Sequence, residues 1–155
     1  MEPIIITDVG LPVTLLRMGL LNYLSNQDSR FQITDMCYSY NPQNGNQSIR
    51  EREFAKQLIS KGILKVVSLS ETQMGRVFEL YEIYKPKFVS RSVSALFLAQ
   101  ETGYRLICEN DLLREIASTE LGVRANDKFW CVRNMVDEIR VQGITLDIEL
   151  VNELL

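Results

Sequence analysis

A chain of 155 residues, 46% hydrophobic and 24% charged, has the size and composition of one ordinary globular domain, able to bury ~70% of the surface its unfolded form exposes. A formal charge of −3, from 17 basic and 20 acidic residues, excludes a bulk electrostatic pull on nucleic acid but leaves room for a local basic patch. With no histidine, the chain excludes a His-ligated zinc site, a Ser-His-Asp triad and an imidazole general base. The three cysteines, Cys37, Cys108 and Cys131, are scattered and odd in number, as expected of reduced thiols. No secretory signal and no membrane-length apolar run is legible, so a cytoplasmic protein is expected.

In chain order, Ile4, Ile5 and Ile6 suit a strand covered on both faces, as in a parallel sheet; that strand, over residues 3–8, ends in the carboxylate of Asp8. Gly10, Leu11 and Pro12 then open a helix, with leucines such as Leu16, Leu20 and Leu24 supplying its core face. A second short strand is expected over 31–34. Residues 41–48 are polar and turn-forming and read as a surface loop. A helix over 49–60 mixes charges with Phe54, Leu58 and Ile59, which gives it a solvated face. A third strand over 63–69 leads to a helix opening at Ser70 and closing at Lys85 and Pro86, since proline disfavours helix in the residue before it.

Residues 90–117 organise the rest of the chain. Val93, Leu96, Phe97 and Ala99 give one helix an apolar face, and Gly103 is where it should stop, in a left-handed C-cap. Residues 104–108 form a short interior strand, and Asn110 is a good N-cap for the helix that Asp111, Leu113 and Ile116 continue. A helix feeding a strand that feeds a helix is half of a wound α/β sheet. The whole is therefore read as one three-layer α/β/α domain over 1–155 with a mostly parallel sheet. Its ligand site belongs at the carboxyl ends of the strands, at Cys108 to Asp111. A short edge strand over 121–123, a helix over 126–140 and an amphipathic helix over 146–155 complete the reading. Trp130 and Met135 suit a partner as well as the core, and Leu146, Ile148 and Leu150 suit either the core or a second subunit.

A cluster of carboxylates at such strand ends would bind a divalent metal and hydrolyse phosphodiesters by activating water and neutralising developing charge. Here the pattern resembles the PIN domain, including the VapC-like toxin ribonucleases of toxin–antitoxin systems. The resemblance runs over nearly the whole chain and is best in residues 4–19, 92–99 and 103–117, with weaker echoes over 63–80 and 121–144. It implies a PIN-like α/β/α fold, a Mg²⁺- or Mn²⁺-dependent ribonuclease resting on a small set of acidic residues, and, for the toxins, a small antitoxin partner. Asp8 stands at the family's first acidic position. The second falls on Tyr40, with Glu51 or Glu53 as substitutes if the loop shifts that far. The third falls on Ser92 and the fourth on Asn110.

Only Asp8 thus keeps a carboxylate in register. Ser92 and Asn110 are expected to cap the helices they precede, so the local fold signals persist while negative charge is lost. Asp8 with Glu109 or Asp111 would be a minimal metal site. Read as caps and first-turn acids, Asp8 and Asp111 are structural instead. Tyr40 is either a packing residue or a platform for a base. Lys85, Lys87, Arg91, Arg105 and Arg124 either form a basic rim near the strand ends or are scattered solvated charges. The expected function is that of a PIN-like protein with a degraded nuclease centre, acting by binding RNA, DNA or a protein partner. The alternatives are an active ribonuclease on the reduced carboxylate set and a module that forms a homo-oligomer through its C-terminal helices.

Overall fold

The computed structural model describes residues 3–10, 12–13, 31–40, 45–108, 110–125 and 137, with 45–48 as backbone. Four strands, β1 (Ile4–Ile6), β2 (Phe31–Thr34), β3 (Leu64–Val67) and β4 (Arg105–Ile107), form one sheet in the order β3-β2-β1-β4. Every pairing is parallel, with Ile5 of β1 opposite Gln32 on one side and Leu106 on the other. Helices flank this sheet, and the fold is a three-layer α/β/α arrangement. The helices are α1 (Asp35–Ser39), α2 (Gly45–Ser60), α3 (Glu71–Tyr84), α4 (Ser90–Thr102) and α5 (Asp111–Glu120).

The central strands are apolar on both faces because both faces are covered. Ile5, Ile6, Leu106 and Ile107 are all buried. Helix α4 lies against β1, β2 and β4 and packs on α3; its buried run from Val93 to Ala99 shows why that segment lacks a polar face. It stops at Gly103, whose φ of 74° is the left-handed conformation that only glycine adopts without strain, and whose N–H closes on Ala99 O. Ser70 and Gln73 make a capping box at the start of α3. The chain steps outward from β1 to β3, then crosses back to place β4 on the other side of β1. That reversal makes the carboxyl ends of β1 and β4 the switch point of the sheet, where a wound fold places its crevice.

Several expectations are corrected. Residues 35–39 form a helix that hydropathy did not signal, because Thr34 caps it: its hydroxyl accepts the Cys37 N–H. Helix α2 begins at Gly45, inside the segment read as loop, so backbone closure runs past the turn-forming side chains. Residues 121–123 are not a strand. Gly122 takes a φ of 65°, Val123 N–H turns back to Ala117 O, and Arg124 O accepts the Leu106 N–H of β4. Ser92 does not cap α4, which begins two residues earlier behind Val89. The leucines after Val13, Glu109, Cys131, and the expected helices over 126–140 and 146–155 fall outside the described residues, Asp137 excepted.

Candidate functional site

The crevice is built from the segments that leave each strand. Asp8 lies two residues beyond β1, exposed, with its carboxylate accepting the Gly10 N–H at 2.7 Å. A Cβ on Gly10 would sit 2.7 Å from that same oxygen, so a side chain there would push the Asp8 carboxylate off this bond. Asp8 therefore closes a local turn with its side chain, one residue ahead of Val9, whose carbonyl accepts the Val13 N–H.

Beyond β2, a buried polar cluster joins two elements far apart in sequence. Thr34, Ser94 and Cys37 are all buried. Thr34 Oγ1 and Ser94 Oγ are 2.7 Å apart, and Ser94 Oγ donates to Arg91 O at 2.6 Å. Cys37 Sγ donates to the same carbonyl at 3.1 Å. Burial pushes the Cys37 thiol up, against the lowering influence of its hydrogen bonds to Thr34 and Ser94 and of the Arg91 charge. It therefore carries its proton near neutral pH and has one to donate.

Tyr40 follows directly on α1, its N–H on Cys37 O, and the Arg91 guanidinium lies 3.5 Å from the centre of its ring. Tyr40 as a whole residue is nevertheless 48% exposed. An exposed cation–π contact contributes only ~0.5–1 kcal/mol. Ordering an arginine costs up to ~2 kcal/mol of side-chain freedom. The stack is therefore marginal by itself, and the backbone of α1 and α4 decides only where its two side chains start.

Beyond β4, Asn110 Oδ1 accepts the Leu113 N–H at 3.0 Å and caps α5, as expected. Asp111 is exposed and paired with Arg114, whose other terminal nitrogen donates to Cys108 O at 2.9 Å. Arg114 is a buried cation, and its fork locks the first turn of α5 to the end of β4. Burial pushes the Cys108 thiol up to about 11, against the nearby Arg114 charge. Asp8 adds a smaller upward push to both thiols, and it leaves β1, the strand between β2 and β4.

Among the described residues, no group of three or more His, Cys, Asp or Glu is placed to hold a metal ion. The described donors do not fit Mg²⁺ or Mn²⁺ well. Asp8 Oδ1 serves Gly10, Asn110 Oδ1 serves Leu113, and Asp111 faces a guanidinium. Glu109 lies outside the described residues. Glu53, the substitute further along, pairs with Lys56 on the solvent side of α2. Of the expected basic rim, Arg91 is tied to the crevice through its contact with Tyr40. Arg105 starts β4 at its opposite end, Arg124 bonds to Gly103 O there, and Lys85 pairs with Glu82.

The site thus brings Asp8, Tyr40, Asn110 and Asp111 to one end of the sheet and adds Thr34, Cys37, Arg91 and Ser94. A threonine at a strand end followed by an acid was the available sign of the α1 cap. Nothing in the sequence joins Tyr40 to a side chain 51 positions away, since no periodicity links them. No protein-family model matches the chain, and no curated protein matches it.

Proposed function

We propose that this chain is a PIN-like protein, related by resemblance to toxin ribonucleases, that binds single-stranded nucleic acid at the carboxyl ends of its strands rather than cutting it. The observation that carries this reading is the Arg91–Tyr40 stack beside the crevice. A half-exposed aromatic face with a cation on it suits a nucleotide: the ring stacks on a base, and the guanidinium meets phosphate or adds its own planar face. Neutral side chains at Tyr40, Ser92 and Asn110 support it, since they lower the negative charge that would repel a phosphodiester where no metal offsets it. So does Arg114, which offsets the charge of Asp111.

The test is anisotropy of a labelled oligouridylate, titrated at several ionic strengths with and without EDTA. We expect saturable binding that weakens steeply with salt, ignores EDTA and falls about tenfold in Tyr40→Leu. No binding to RNA or DNA at low salt sinks the reading and leaves a protein partner, an antitoxin-like chain or a second copy, as the next to seek. Cleavage that EDTA and Asp8→Asn both abolish overturns it in favour of a metal-dependent ribonuclease.

A further inference from the structure

We infer that Thr34, Cys37 and Ser94 are positioning residues for the nucleic-acid site, a buried hydrogen-bond relay that sets the Arg91–Tyr40 stack before any ligand arrives. The inference rests on the function proposed above for its ligand, but not for its geometry. The proton order in the relay is fixed by elimination. Ser94 Oγ is 2.6 Å from Arg91 O, and only the serine has a hydrogen to place there. The 2.7 Å contact between Ser94 and Thr34 must then be donated by Thr34. Thr34 Oγ1 is thereby free to accept the Cys37 N–H at 3.2 Å. The chain of donors runs from the backbone of α1, through two hydroxyls, to the carbonyl of Arg91 in the first turn of α4, with every member committed to one direction.

Both halves of the stack hang from this relay. Arg91 receives two donors on its carbonyl, from Ser94 and from the Cys37 thiol. Tyr40 is held through its own N–H on Cys37 O. Cys37 thus touches the backbone of one partner and the carbonyl of the other. Val89, the N-cap of α4, makes no side-chain cap bond, so this internal relay is what fixes the first turn carrying Arg91. A hydroxyl pair buried at 0% exposure between apolar layers is costly unless satisfied, and here the two hydroxyls and the Arg91 carbonyl satisfy one another, which fixes the backbone from which the guanidinium extends.

The test reads the stack directly, in the free protein. In NMR spectra the Arg91 Nε–H resonance should be displaced upfield by the Tyr40 ring current, an assignment checked by its loss in Tyr40→Leu. Ser94→Ala and Thr34→Val should each return it by half or more toward the free-arginine position, while Thr34→Ser, which keeps the hydroxyl, restores it. If either of the first two fails to fold, Cys37→Ala removes a donor to the same carbonyl and should move the resonance in the same direction. Folded variants that leave the resonance at its wild-type position overturn the inference. Oligouridylate affinity is then measured on the same set, where about a tenfold loss in Ser94→Ala and in Thr34→Val is expected, with Thr34→Ser staying at the wild-type value. A resonance that moves with no oligouridylate binding in any variant leaves the relay standing and removes the nucleic-acid reading.

Discussion

At the scale of single residues, the polar groups at the strand ends are used first to finish backbone and only then offered to a ligand. Asn110 is the clearest case. Its side chain satisfies one of the four N–H groups that α5 leaves open, so Asn110→Ala should cost about 1 kcal/mol. In a domain of this size that lowers the thermal midpoint by about 3 °C. Asn110→Asp should keep the cap and cost nothing measurable, because an acid at a helix N-terminus is also favoured by the dipole. Thermal unfolding of the two variants side by side checks this, and equal losses would show that the cap is not what Asn110 supplies. The sequence placed Asn110 as this cap correctly, since capping is local chemistry. Ser92 is as good a cap by residue type, yet α4 starts two residues before it, behind Val89, with no side-chain cap bond.

Among the elements, α4 and its exit into β4 were the most legible, and the reason is steric. Gly103 has open space where a Cβ would go, so Gly103→Ala is opposed by backbone conformation alone. The variant should lose about 1 kcal/mol by urea denaturation with an unchanged denaturant slope. A neutral result would mean that the turn relaxes to another conformation. By contrast, α1 was missed because five residues hold too little pattern to reveal a period, and its stability comes from Thr34 and from the cluster above it. The residues after α5 suit a strand, but Gly122 turns the chain, and Arg124 O meets β4 by accepting the Leu106 N–H.

For the whole molecule, burying thiols between the sheet and its helices links stability to alkaline pH. The folded Cys108 thiol keeps its proton to about 11, whereas an unfolded one loses it near 9.0. Its contribution is therefore complete below pH 9.0 and is lost as pH rises toward the folded value. Cys37 acts in the same direction. Urea midpoints should fall more steeply across this window in the wild type than in Cys108→Ala, by a difference on the order of 2 kcal/mol. Parallel slopes would show that the thiol is solvated on both sides of the transition. No helix among the described residues is long and apolar enough to cross a membrane.

What the sequence determined by itself was whatever depends on neighbours along the chain. The triple isoleucine meant a covered parallel strand, Gly103 an ending, Asn110 a beginning, and the order of helices and strands a wound sheet with its crevice at Asp8 and Asp111. Only the tertiary structure decided which side chains meet there. The Tyr40–Arg91 stack, the Thr34–Ser94 bond and the grip of Arg114 on the end of β4 arise where the crossing of the chain brings strand ends together. The same crossing sends Arg105 and Arg124 to the opposite end of β4 from the crevice. A strand's direction fixes which of its ends faces the ligand, and hydropathy does not encode direction.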